Sequence, residues 1–339
     1  MAEILPLLTL LALTVAVALG WRWRHARSAE RQRHRAEDAL KHMFEEEYRG
    51  RRASISSLAG VLRIPASDVV TLVGRMQAQS LLAIQGQTVD LTPDGEKLAL
   101  QVVRAHRLLE RYFADEARLP LTSVHAAAER GEHSLSPAAA NRLSAAMGHP
   151  THDPHGDPIP TREGAVAPPA GTPVTAWPRE QMGRIVHLED EPELSFAQIV
   201  AAGLRVGQFV RIVDVTAERV TLTDGESEYR LAPAVAANVF LTPAATETWP
   251  EQTVRLSDLT DHAVAEVVGL DEACQGFSRR RLMDLGFTDG ARIRPFLKTF
   301  AGDPRAYEVR GTLIALRRDQ AAHVLVRPVA TDTPPETRP

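Results

Sequence analysis

The chain has 339 residues, 44% of them hydrophobic and 24% charged, enough for roughly two to four domains with a sizeable buried core. A formal net charge of -4 and a pI near 6.3 exclude a uniformly basic nucleic-acid coat, while a single basic surface fits inside an acidic average. The lone Cys274 excludes an intrachain disulfide framework and any CxxC redox or zinc site, and suits a reducing compartment.

The first predicted element is apolar. Residues 4–21, ILPLLTLLALTVAVALGW, carry no charge, and at the helical rise they are just long enough to cross a hydrocarbon core, so they predict a transmembrane helix. Glu3 lies ahead of the run, while Arg22, Arg24, His25, Arg27, Arg31, Arg33 and Arg35 crowd behind it with Trp21 and Trp23. The positive-inside rule then puts the long C-terminal part in the cytoplasm, as a single-pass protein of the inner membrane. A cleaved signal peptide would carry its basic residues before the apolar run rather than after it. The arginines read as topology signal and lipid headgroup contact.

Residues 30–48 predict an amphipathic helix through Ala36, Leu40, Met43 and Phe44. Two short helices follow, Ser54 to Leu62 and Ser67 to Gln79, separated by a turn at Arg63 to Ala66. Leu81 to Thr92 predicts a hairpin with its turn at Gln85 to Gln87. This order is that of a winged helix-turn-helix, which makes residues 37–97 the candidate DNA-binding module. Its recognition helix starts near Ser67 and exposes Ser67, Asp68, Thr71, Arg75 and Gln79. Asp68 has the wrong sign for a phosphate surface and the wing QGQTVD has no cation, whereas Arg49, Arg51, Arg52, Arg63 and Arg75 offer phosphate contacts. A winged helix kept for dimerisation or protein contact is the alternative.

Thr92 as N-cap, Pro93 at N1 and Glu96 in the first turn open a long helix carrying His106 and Glu110 at i, i+4. Ser123 to Met147 is helix-rich, with a second helix starting at Ser136-Pro137. Within it His125, Glu129, Glu132 and His133 fall in an arc of roughly 80 to 100° on one helix face. Two such helices packed face to face bring six imidazole and carboxylate ligands together. That set suits Mn²⁺ or Fe²⁺, although Zn²⁺ and Co²⁺ also bind it; the competing reading is two solvated amphipathic faces. Pro and Gly dominate residues 148–178 and mark a domain boundary. Val206 to Leu231 predicts a small β-barrel with a turn at Asp224-Gly225. Val254 to Pro328 predicts a second β-rich unit with one helix, Ser278 to Leu285, ending at Gly286. No activated nucleophile, phosphate loop or redox cofactor box stands in the sequence, so no enzyme is expected.

Several motifs together resemble a known family. RAHRLLERYFADE from Arg104, VHAAAERGEHSLS from Val124 and GHPTHDPHGDPIPT from Gly148 resemble the iron- and manganese-dependent DtxR/MntR transcriptional regulators, over residues 37–160. LRVGQFVRIVD at Leu204 looks like the family's SH3-like domain. LSDL at Leu256, RRRLMDLGFTDGARI at Arg279 and VRGTLIALRRDQAAHVLV at Val309 resemble a FeoA domain of ferrous iron transport. The fold class implied is multidomain α+β: an N-terminal transmembrane helix, a winged helix-turn-helix, an all-α dimerisation domain and two small SH3-like β-barrels. The corresponding divisions are 1–24 for the anchor, 25–97 for a juxtamembrane helix and the winged helix, and 98–160 for metal binding and dimerisation. Residues 161–182 form a linker, 183–245 the SH3-like and FeoA-like domain, 250–330 the FeoA domain, and 331–339 a disordered tail.

The resemblance implies a ligand set. Asp38 falls where manganese-type members place an aspartate, His106 matches the shared histidine, and Glu129, Glu132 and His133 match the remaining ligands. Glu110 and His125 match the second site of iron-type members. Lys41 departs from the pattern, where manganese-type members carry an acid. Pro192 and Ser195 also depart from it, with Glu191 or Glu193 one residue away as substitutes. His149, His152, Asp153, His155 and Asp157 belong to a pattern that relatives use as a turn-rich connector rather than a metal tract. The implied function is a membrane-tethered regulator of metal homeostasis that depends on Fe²⁺ or Mn²⁺ and binds operator DNA as a homodimer. The alternative is a cytoplasmic-face accessory of ferrous iron transport, with the FeoA domain against the transporter and a winged helix that no longer reads DNA.

Overall fold

The structure is a computed structural model describing residues 4–329 apart from 86–87, 180, 226, 244–251, 262, 272–273, 275 and 299–301, with backbone alone for 4–19, 85, 88 and 297–298. It divides into two compact units, residues 1–104 and 105–339. In the first, helix α1 (Ile4–Tyr48) is continuous, so the expected anchor and juxtamembrane helix share one helical backbone. The side chains of most of the expected anchor lie outside the described residues, and among those described no single helix is long and apolar enough to cross a membrane. The expected tail, 331–339, also lies outside them.

Helix α2 (Ile55–Leu62) starts at a reciprocal cap, in which Ser54 Oγ accepts from Ser57 N and Ser57 Oγ from Ser54 N. Helix α3 (Ala66–Ala78) buries Val69, Leu72, Val73 and Met76, the i, i+3, i+4, i+7 stripe that makes it amphipathic. Strands β1 (Leu82–Gln85) and β2 (Thr88–Leu91) pair antiparallel as the expected wing, and α1 packs on α2 and β2. Helix α4 (Pro93–Asp115) is capped by Thr92, whose Oγ1 accepts from Gly95 N at 3.1 Å.

The second unit begins with the later turns of α4, then α5 (Leu121–Glu132) and α6 (Pro137–Ala146), the last capped by Ser136. Leu108, Ala140, Met147 and Ile159 form their shared apolar cluster. A six-stranded antiparallel sheet follows, in the order β3 (Thr172–Pro173), β8 (Val239–Pro243), β4 (Gly183–Leu188), β5 (Phe209–Val215), β6 (Val220–Thr223), β7 (Glu228–Leu231). Helices α7 (Glu193–Ala202) and α8 (Pro233–Ala236) lie within this segment. The expected linker 161–182 is thus not wholly a linker. Its β3 pairs with β8, because Val174 and Trp177 just beyond it are buried in the sheet's core and Trp177 packs on Gly183.

The last segment forms another six-stranded antiparallel sheet, in the order β13 (Thr312–Leu316), β12 (Arg305–Val309), β11 (Arg292–Lys298), β10 (Val264–Leu270), β14 (Val324–Val329), β9 (Val254–Arg255). Helix α9 (Gly276–Asp284) starts earlier than the sequence suggested, and α10 (Arg318–Ala321) precedes β14. Its core holds the fully buried Phe287 and Tyr307.

The connector 151–158 is pressed onto β4. Gly156 has φ +97°, and a Cβ there would collide with the carbonyl oxygen of Val186. Gly156→Ala is therefore expected to destabilise the protein by roughly 2–3 kcal/mol, read from its denaturant midpoint.

Candidate metal centre

Helix α4 buries His106 and Glu110 one turn apart, with His106 Nε2 at 3.0 Å from Glu110 Oε1. Helix α5 faces them: Glu132 accepts from His106 Nδ1 in a short hydrogen bond, and His125 Nδ1 lies 3.2 Å from Glu110 Oε1 and 3.3 Å from His106 Nε2. Helical spacing thus brings His106, Glu110, His125 and Glu132 together. Glu129 sits at the rim, 57% exposed, with Oε1 3.6 Å from His125 Nε2. His133 caps the end of α5 just outside the helix, 3.8 Å from Glu132. Asp38 is half-buried on α1, in the other unit.

Sequence reasoning missed three contributors. The loop after β4 brings Asp190 Oδ2 to 2.9 Å from His125 Nδ1, whereas the expected substitutes Glu191 and Glu193 are exposed. The connector brings in His155, whose Nδ1 lies 3.7 Å from Glu110 Oε2 and 3.6 Å from Asp190 Oδ2. Asp153 joins it: ligand atoms of Glu110, Asp153 and His155 lie within 4.8 Å of one another, as do those of His106, Glu110 and His125. Glu110 belongs to both groups.

The turn-rich reading of the connector is correct as far as it goes, because Asp153 Oδ1 accepts from the backbone N of His155 and Asp157, each at 2.9 Å. That same turn aims the His155 ring inward, where Phe196 of α7 covers it. His149 and His152 bond locally to Ser144 and Thr151. The only sequence signals for the missed residues are the Asp-x-His spacing at 153 and 155 and the acidic run after β4.

Charge in the centre is set by burial against its neighbours. Burial works to neutralise Glu110, but His106, His125 and His155 hold it ionised, well below the usual carboxylate range. Burial also disfavours the His125 imidazolium, yet Asp190, Glu110 and Glu129 hold its pKa well above the ordinary histidine range. Against its own burial, Asp190 is brought down to about 2 by the His125 hydrogen bond and the charge of His155. Behind the centre, burial, Asp157 and Glu110 push Asp153 up to about 8 despite Arg107. Buried Arg107 spans this region, donating to Pro158 O at 2.6 Å and lying 3.6 Å from Asp157 and 3.9 Å from Asp153.

Imidazoles and carboxylates without thiolate, crowded out of water around one shared carboxylate, fit a divalent ion of the Mn²⁺ or Fe²⁺ kind. His155 Nε2 is also buried with no hydrogen-bond partner.

In the first unit, Ser67, Asp68, Thr71 and Arg75 are exposed on α3 as expected. Asp68 lies in the first turn, where its charge favours the helix dipole, and Thr71 Oγ1 donates to Ser67 O at 3.1 Å. Val70 is 58% exposed on the same helix. Arg51 pairs with Glu46 at 2.6 Å and Arg52 with Asp90 at 2.9 Å, so two of the five expected phosphate contacts are engaged with acids.

The pKa of His187 on β4, lowered by burial but raised more by Asp157 and Glu189, stands at about 9 against an ordinary 6.5. A proton held more tightly in the folded than in the unfolded chain stabilises below the unfolded pKa, and that stability is lost as pH rises through the folded one. Asp153, at about 8 against 3.8, tilts the profile the same way. Thermal midpoints of chelator-treated protein should therefore fall between pH 6.5 and about 9, and His187→Gln should remove part of the slope; a flat profile contradicts this assignment.

Residues 92–161 match the family described as iron dependent repressor, metal binding and dimerisation domain, and residues 254–328 match the FeoA domain. The chain is 31% identical over 189 residues to the diphtheria toxin repressor of Corynebacterium diphtheriae, covering 52% of this chain and 82% of the relative. It is 43% identical over 89 residues to the iron-dependent repressor IdeR of Mycobacterium tuberculosis, 26% of this chain and 39% of that protein. A solved manganese-dependent transcriptional repressor in complex with manganese superposes with a TM-score of 0.57 at 26% identity, over 61% of this chain and 99% of that one. By this similarity the chain belongs to the DtxR/IdeR family of metal-dependent transcriptional repressors and carries a FeoA domain at its C-terminal end.

Proposed function

We propose that this repressor responds to Fe²⁺ or Mn²⁺ held by His106, Glu110, His125, His155 and Asp190, with Asp153 behind them. The observation that carries this reading is the buried Glu110 carboxylate, shared by three imidazoles that come from α4, α5 and the connector. Iron and manganese are the metals in the names of its relatives. Glu129, Glu132 and His133 are the further ligands proposed, and Asp38 is carried from the family resemblance alone. A divalent ion would supply positive charge where neighbouring carboxylates raise the pKa of His125 and His155.

The donors sit on several separate segments, so occupancy favours one arrangement of those segments over others. Metal affinity then becomes a shift of population toward a homodimer competent for operator DNA. Exposed Ser67, Thr71 and Arg75 are the residues proposed to face the bases, with Asp68 retained for the helix terminus. Tethering to the inner membrane through residues 4–21 is part of the proposal. It is supported by exposed Trp21 and Trp23 and by Arg27, whose guanidinium stacks 3.5 Å over the Trp23 ring, at the start of the basic run.

Calorimetric titration of the whole chain with each ion should give binding that Glu110→Gln or His125→Ala weakens by roughly a hundredfold. Because the imidazoles must lose protons to ligate, affinity should rise with pH; binding unchanged in both variants rejects the site. With metal present, operator affinity should fall steeply between about 50 and 200 mM salt. The transport-accessory reading instead expects metal binding with no operator binding at low salt.

A further inference from the structure

The β4 strand touches the metal centre and the C-terminal domain at once. Going along it, Arg184 reaches Asp271 of the FeoA domain at 3.7 Å, and Val186 supplies the carbonyl against which Gly156 is pressed. Leu188 N then donates to His155 O at 2.9 Å, and just past the strand Asp190 receives His125. Three of these contacts are made to segments that carry proposed ligands, the connector and α5. The FeoA-side partner is firmly held: Asp271 is buried and accepts from Arg255 at 2.8 Å.

The same domain also grips the other half of the centre. On the turn of α4 after Glu110, Arg111 and Asp115 pair at 3.0 Å. Asp115 lies so close to Gly276 of α9, at φ +61°, that a Cβ there would collide with it. Phe277 meets Tyr112 edge-on at 6.4 Å and packs on the Leu108–Met147 cluster. Arg280 donates to the carbonyls of Ala145 and Ala146 at 3.2 and 3.3 Å, the end of α6, where a cation is favoured.

We infer that the FeoA domain positions Asp190 through Arg184 and β4, so that a domain contributing none of the proposed ligands sets the affinity of the metal centre. This rests on the metal-binding reading above. Arg184 is a positioning residue. Ordinary domain packing would give the same contacts, but it would not make the effect of Arg184 depend on Asp190.

The test is a double-mutant cycle on the full chain, titrated with Mn²⁺ by calorimetry. Arg184→Ala should weaken binding roughly tenfold, as loss of a residue supporting a ligand does, and Arg184→Lys should recover most of it. Asp271→Ala should reproduce the loss from the other side. In an Asp190→Ala background, Arg184→Ala should change affinity by less than about twofold. In the metal-free protein, Arg184→Ala should also speed hydrogen exchange at the Leu188 amide, a readout independent of the metal. Equal Mn²⁺ affinity in Arg184→Ala and wild type overturns the inference. So does an Arg184→Ala loss that persists undiminished without Asp190. A wild type that binds neither Mn²⁺ nor Fe²⁺ removes the metal reading itself.

Discussion

Burial of the Glu110 carboxylate organises the second unit. A charge taken out of water is costly unless neighbours compensate it, and here the compensation is imidazole. Three histidines from three segments converge on its two oxygens, so folding of α4, α5 and the connector is coupled at one side chain. Asp190 completes the arrangement from the loop after β4 of the first six-stranded sheet by engaging His125. The neighbouring carboxylates raise the pKa of His125 and His155, so on the proposed reading ligation exchanges their protons for a divalent ion.

The surrounding polar shell follows from the same constraint. Asp153 and Asp157 lie close together behind the centre, and buried Arg107 lies near both and donates from Nη1 to Pro158 O. His187 adds a further positive group from β4, 3.6 Å from Asp157. The alternation of acids and bases from Asp190 through Glu110 to His187 binds the connector to the sheet. Gly156 is required there because the backbones of the connector and β4 approach too closely for a side chain.

The C-terminal domain belongs to this construction rather than hanging from it. Its contacts fall on α4 beyond Glu110, on the end of α6 and on β4 ahead of Asp190. A FeoA domain attached in this way has a mechanical reason to be in a metal sensor. On the winged helix, Arg51 and Arg52 are paired with the local acids Glu46 and Asp90.

The sequence by itself determined what depends on neighbours a few residues apart. The caps at Ser54, Thr92 and Ser136, the buried stripe of α3 and the wing all follow from local spacing, and so does the placing of His106 with Glu110 and of His125 with Glu132. Helical periodicity assigns a residue to a face regardless of what covers that face. The tertiary structure alone decided which irregular segments reach the centre. Asp153, His155 and Asp190 stand in loops with no periodicity, and their approach to Glu110 is set by β4, through the close contact at Gly156 and the Leu188–His155 hydrogen bond. It likewise drew β3 out of an apparent linker, because the burial of Val174 and Trp177 outweighs the loop-like composition around them.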